Sequence, residues 1–151
     1  MSEFTQLVEN IVKEAKRLKD KHTKEIDASV NYACIFCQND DEYKTFKQLA
    51  GELGSVLEQT KSGPLFRIKI ETVAGTLQLL KVRNPDITRK ERGDADFTVD
   101  DYSNFKTDYI GVRGFKVMTN KDFEMIELMD PDFDVRAYFS NPPLDQQMGL
   151  I

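Results

Sequence analysis

Arg92-Gly-Asp-Ala-Asp-Phe-Thr-Val99 decides how the rest of the chain is read. Its residues alternate: Asp94, Asp96 and Thr98 on one side, Ala95, Phe97 and Val99 on the other. Strand side chains alternate with period two, so this predicts a strand with one apolar and one acidic face. An acidic face inside a small domain points to a wet cleft. The stretch also falls where the order of elements begins again.

Upstream, Phe4, Leu7, Val8, Ile11, Val12, Ala15 and Leu18 keep helical spacing. They predict an amphipathic helix over residues 3–21, packed on the domain by its stripe or offered to a partner. Residues 30–36 read as the first strand. Asn39 caps a helix into which Glu42 can reach back, and Tyr43, Phe46, Leu49, Ala50 and Leu53 are its buried side. Gly54 is expected to end that helix in a left-handed conformation. Residues 56–60 and 65–70 form a hairpin around Lys61-Ser-Gly-Pro64, and 77–82 a fourth strand. Residues 83–92 are a charged connection bearing Arg83, Arg89, Lys90 and Arg92, read either as a solvated linker or as a positive lip over an anionic ligand.

Downstream the order recurs. Residues 95–99 are a strand, 100–109 hold a short helix, and 115–118, 123–129 and 134–139 are three more strands. Asn141-Pro-Pro143 stops the sheet. The fold class is therefore α+β: two strand-helix-three-strand modules forming one curved sheet around a cavity, preceded by an N-terminal helix. The organisation is residues 1–29 as that helix packed on the domain, 30–145 as one domain (modules 30–82 and 93–140), and 146–151 as a flexible tail.

At 151 residues with 40% hydrophobic content the chain suffices for one core. A net charge of −5 argues against nonspecific binding to nucleic acid or to an anionic membrane surface. No stretch approaches the roughly 20 apolar residues of a membrane span, and the N-terminus lacks the apolar core of a secretory signal; a cytoplasmic location is expected. Cys34 and Cys37 are the two cysteines. On one strand they point to opposite faces about 10 Å apart, beyond the roughly 7 Å between Cα atoms that a disulfide spans. Two buried thiols are expected, with a redox pair only if Cys37 lies in a turn. His22, the single histidine, is expected at the surface. No phosphate loop or nucleophile-base pairing is present, and Gly111-Val-Arg-Gly114 reads as a turn.

The doubled unit resembles the vicinal oxygen chelate superfamily of glyoxalases, bleomycin-resistance proteins and extradiol dioxygenases. Met129-Asp-Pro-Asp132 is similar to the turn before the last strand of those proteins, with Phe133 where glycine is usual. The order of the leading helix, Asn31-Tyr-Ala-Cys-Ile-Phe-Cys-Gln-Asn39, Ser62-Gly-Pro-Leu-Phe66 and the charged lead into Gly93 resembles most the YecM-like branch, which has no firmly assigned chemistry. The resemblance spans about residues 4–145. It implies a cavity whose first and last strands carry His or Glu metal ligands, and sometimes a homodimer. This chain departs from that pattern. Asn31 stands where the branch has a histidine, and Arg136, Ala137 and Tyr138 occupy the region of the last-strand glutamate.

Asn31, Gln78, Asp96, Thr98, Arg136 and Tyr138 are the candidate ligand-binding residues. A small polar or anionic molecule is the expected partner, gripped by Arg136, with Asp96 accepting hydrogen bonds or moving a proton. Asp96 and Arg136 are expected to pair with each other, with a ligand or with water. Asp94, near the strand end, is expected at the surface, and Glu127 is read as able to turn inward. No cofactor is predicted; an oxygen-only divalent metal site on Asp96, Asn31 and Gln78 is the alternative. It would make the protein a metal-dependent lyase, isomerase or oxygenase. The third reading is a protein-interaction module.

Overall fold

The computed structural model describes residues 2–150. Helix α1 (Glu3–His22) leads into β1 (Ser29–Phe36), α2 (Asp40–Leu53), β2 (Ser55–Thr60), β3 (Gly63–Thr72) and β4 (Gly75–Arg83). The second module is β5 (Gly93–Thr98), α3 (Tyr102–Tyr109), β6 (Phe115–Thr119), β7 (Glu124–Leu128) and β8 (Val135–Asn141). A single turn of helix, α4 (Leu144–Gln147), follows. All eight strands join one curved, unclosed sheet in the order β2-β3-β4-β1-β5-β8-β7-β6. This is the paired-module architecture that the vicinal oxygen chelate resemblance implied. Each module closes on itself by a parallel pair, β1 with β4 and β5 with β8, and the modules meet along an antiparallel β1–β5 seam.

Helix α1 forms because its apolar residues recur every three to four positions and Ser2 caps it, its hydroxyl accepting from the Thr5 N–H at 3.1 Å. Its stripe packs on β1, β5 and β8, against Ala33, Ile35, Ala95, Phe97, Ala137 and Phe139. The stripe is thus core. At its C-terminal end sits Lys19, 0% exposed. Its ammonium donates to Asp20 at 2.7 Å, to the Ile26 carbonyl at 3.2 Å and to the Glu25 carbonyl, and lies 5.3 Å above the Phe97 ring. Every donor of this buried cation has a partner, which is the condition for burying it.

Asn39 caps α2, accepting from the Glu42 N–H at 2.8 Å, and Glu42 reaches back to the Gln38 N–H at 2.9 Å. The chain leaves α2 through Gly54 with extended backbone, φ −163°, and not the left-handed turn expected. Glycine is required there by space: a Cβ would lie 1.9 Å from the Arg67 carbonyl oxygen. Phe105, the buried residue of α3, stacks 4.5 Å from Phe139. Cys34 and Cys37 are free and buried as expected, but β1 ends at Phe36, so Cys37 lies in the connection to α2 and not on the strand. His22 is half-buried, its Nε2 at 2.8 Å from Asp130, which also holds Lys21. Among the described residues no helix is long and apolar enough to cross a membrane.

Candidate functional site

Helices α1, α2 and α3 cover one face of the sheet. On the other face the central strands place polar side chains in rows, set by register. Parallel pairing of β5 with β8 aligns Asp94 with Arg136 and Asp96 with Tyr138. Antiparallel pairing of β1 with β5 aligns Cys34 with Asp94 and Tyr32 with Asp96. A β-bulge between Val30 and Tyr32 lets consecutive residues, Asn31 and Tyr32, both reach this open face.

Asp96 is 1% exposed. Its Oδ1 accepts from the Ser140 N–H and the Asn31 amide, both at 3.1 Å, and its Oδ2 accepts from the Ser140 hydroxyl. Burial pushes its pKa up to about 6, with those bonds pulling the other way. Asn31 also donates to Thr98 Oγ1 at 3.0 Å, while its own Oδ1 is buried without a partner. Ser140 was missed in the sequence because the last strand runs on to Asn141, two residues further than expected.

Asp94 is 7% exposed, not at the surface as its place near the strand end suggested. The β8 strand beside it and the connection over it close it off. Its Oδ1 has no hydrogen-bond partner. Burial first, and the Asp96 charge second, push its pKa up to about 7, against the pull of Arg89, Arg83 and Arg136. Arg136 does not pair with Asp96, since register puts Tyr138 opposite that carboxylate. It donates to Glu127 Oε2 at 3.3 Å and to the Thr88 carbonyl at 3.2 Å, and lies 3.0 Å from Glu91 Oε1. Tyr138 donates to the same Glu127 oxygen at 2.6 Å. Glu127 does turn inward, as a structural anchor. Arg136 and Arg89 also stand 5.8 and 5.2 Å from the Phe36 ring centre. Within the charged connection, Arg92 forks onto Glu42 at 2.9 and 3.0 Å, whereas Arg83 and Arg89 lie 3.9 and 4.0 Å from Asp86.

Two clefts open on this face, with α4 between them. The larger, about 250 Å³, has Tyr32, Lys81, Asp96 and Ser140 among its polar lining and Leu65, Phe123, Met125 and Leu144 as apolar walls. The smaller, about 150 Å³, gathers Asn31, Gln78 and Thr98 with Arg67 and Thr76. The six candidate residues therefore split. Asn31, Gln78 and Thr98 share the small cleft, Asp96 borders the large one, and Arg136 and Tyr138 belong to a buried network beside it. Gln147 and Leu150, from the 146–151 tail expected to be flexible, line the two clefts together with Leu144 and Asp145 just before it.

Lys81 is the residue that sequence reasoning missed. It sits within Leu77-Gln-Leu-Leu-Lys-Val82, where a lone lysine reads as the wet side of an amphipathic strand. It is half-buried and, among the described residues, makes no hydrogen bond or ion pair. Burial lowers its pKa; Arg83 and Arg89 push the same way, Cys34 and Asp94 the other.

Metal binding was tested against the donor set. Among the described residues no three His, Cys, Asp or Glu side chains cluster as ligands. Both oxygens of Asp96 and the amide nitrogen of Asn31 are committed to one another and to Ser140. The remaining free oxygens, from Asn31 and Gln78, are neutral amides, a poor fit to a divalent cation.

No family model matches the chain, and no curated protein does. The solved structure described as "Structural Genomics, Protein EC4020" superposes with a TM-score of 0.65 at 11% identity, covering 93% of this chain and 91% of that one. At that identity the shared fold is what it shows. A glyoxalase/bleomycin resistance protein/dioxygenase superfamily member from Vibrio splendidus 12B01 gives 0.46 at 9% identity, covering 75% of this chain and 97% of its own. A mutant 4-hydroxymandelate synthase from Streptomyces coelicolor gives 0.44 at 12%, covering 76% and 49%. Both scores are below 0.5 and carry no argument about chemistry. Fold and site together define a class: a doubled-module sheet with a polar, cation-bearing cleft over its central strands.

Proposed function

We propose that the chain is a YecM-like protein of the vicinal oxygen chelate superfamily that binds a small anionic molecule in the larger cleft, without a His/Glu metal centre. One observation carries this reading. Lys81 is a half-buried cation that opens into a partly apolar cleft and forms no hydrogen bond or ion pair there, although the Asp96 and Glu58 carboxylates line the same cleft. Removing a charge from water without a partner costs free energy that a ligand carboxylate or phosphate would offset. The Tyr32 and Ser140 hydroxyls and the Leu65, Phe123 and Met125 walls offer orientation and burial to the rest of a small molecule. Arg136, with two carboxylates around it, holds the floor in place and is not the anion grip. The YecM-like assignment is supported by the leading helix laid across both modules and by the order of motifs. A cytoplasmic setting suits two free, buried thiols.

Thermal denaturation against a panel of small carboxylates, phosphates and sulfates tests this. A binding anion at 100 times its Kd stabilises the fold by about 2.7 kcal/mol. Lys81→Met is expected to lose that stabilisation while keeping the fold. An anion that stabilises Lys81→Met as well as the native chain would refute the assignment.

A further inference from the structure

We propose that Lys81 is a covalent site: its amine condenses reversibly with the carbonyl group of a small aldehyde or α-keto acid held in the larger cleft, forming an imine. This rests on the cleft reading above and names the ligand class for it. The geometry that carries it is the isolation of this one amine. Lysine chemistry at a protein surface is quenched by ion pairing and hydration. Lys81 has neither partner nor full hydration, and its cleft has apolar walls that limit water around a bound carbonyl.

The surroundings are asymmetric in the sense that favours a neutral, nucleophilic amine. Arg83 on its own strand and Arg89 from the connection oppose a further positive charge. Tyr32 and Cys34 face it from β1, Asp94 and Asp96 from β5, and Glu58 from β2 lines the mouth without forming an ion pair. Burial keeps the Tyr32 hydroxyl and the Cys34 thiol protonated, so neither supplies the counter-ion that would hold Lys81 as a fixed ammonium. Asp94 forms no ion pair with Lys81, and burial pushes its pKa up to about 7. Amines activated by desolvation and by a neighbouring cation are those that enzymes use for imine formation.

The step balances without an external oxidant or reductant. The nitrogen lone pair forms a bond to the carbonyl carbon, and the C=O π pair moves onto oxygen, which takes the proton leaving nitrogen. The carbinolamine then gains one more proton on oxygen and expels water. This leaves a C=N bond that, protonated, keeps the single positive charge of Lys81. The Tyr32 O–H lines the same cleft and can relay those protons.

The test uses the full chain with 2-oxobutanoate, butanal and butanoate, each with sodium cyanoborohydride to reduce any imine, followed by peptide mass mapping. The expected result is an adduct on Lys81 with the two carbonyl compounds and none with butanoate. Its rate should exceed that at the exposed lysines several-fold. Lys81→Arg keeps the charge and should still be stabilised thermally by butanoate, with no adduct at position 81. Labelling spread evenly over the lysines, or absent from Lys81 while butanoate still stabilises the native chain, overturns the condensation and leaves the anion cleft standing. No stabilisation by any of the three and no adduct overturns both.

Discussion

Two lysines, Lys19 and Lys81, mark the difference between the two faces of the sheet. Lys19 lies on the helix-covered face, fully buried, with a carboxylate, two carbonyls and an aromatic ring around its ammonium. Lys81 lies on the open face, half-buried, with no hydrogen bond or ion pair. One cation is built into the fold; the other is left for something outside it. A similar contrast holds between two carboxylates of the open face itself. Asp96 accepts three hydrogen bonds, whereas Asp94, two residues away, keeps an oxygen with none. A protein stabilises its helix-side core by satisfying every group, and retains unsatisfied ones only where a ligand or a reaction takes them up.

The contrast breaks first at the core. Phe97→Ala removes a fully buried ring that touches α1 and lies 6.3 Å from Phe139, and should cost about 3–5 kcal/mol by urea denaturation. A loss below about 1 kcal/mol would mean the helix-covered face is not the packed core described.

Next comes the satisfied lysine. Lys19→Met leaves the Glu25 and Ile26 carbonyls with only the long bonds from the Ala28 N–H and the Lys16 ammonium, each 3.3 Å, and is expected to cost about 1–3 kcal/mol. Asp20 retains Lys16 at 2.6 Å, which limits the damage.

The open face should reveal itself in pH dependence. Asp94 ionises near 7 in the folded chain against 3.8 as a free side chain, and Asp96 near 6. The folded state therefore holds more protons than the unfolded state between those values. Stability is greatest at the acid end and falls as pH rises from about 4 to 7, by a few kcal/mol. Asp94→Asn should flatten the upper part of that fall in a series of urea midpoints. A stability that rises over the same window would place the Asp94 carboxylate in a satisfied ion pair.

The smallest effect sharpens the comparison most. Lys81→Met should change stability by no more than about 0.5 kcal/mol, since it removes no partner and relieves a desolvated charge. A loss as large as that of Lys19→Met would mean that Lys81 is structural after all.

How much of this could be read in advance follows the same two faces. The helix side was legible because apolar periodicity reports burial directly: the α1 stripe and Ala95-Asp-Phe97 fell where expected, and Tyr43, Phe46, Leu49 and Ala50 pack on the core, while Leu53, at the end of α2, is exposed instead of buried. Lys19 escaped, for a lysine just past the last stripe residue, Leu18, carries no sign that loop carbonyls will meet it. The open face was legible only as polarity. Asn31, Asp96 and Thr98 do lie together, but pairing depends on register. One register, Asp94 opposite Arg136 and Asp96 opposite Tyr138, sent Arg136 to Glu127 and Glu91. Lys81 comes beside Cys34 through a parallel β1–β4 pairing that joins strands 47 residues apart, as Ala33 does with Leu80. Strand periodicity within either segment carries no trace of that pairing.

The antiparallel seam between the modules also bears on how the chain folds. The outer hairpins, β2–β3, β3–β4 and β6–β7, close over short turns and need only local contacts. The floor of the clefts cannot begin until β1 meets β5, as when Val30 pairs with Phe97, across most of the first module. Long-range pairings bear the larger loop-closure cost and form more slowly. The clefts are therefore a late product of folding, and neither module folded alone would contain them.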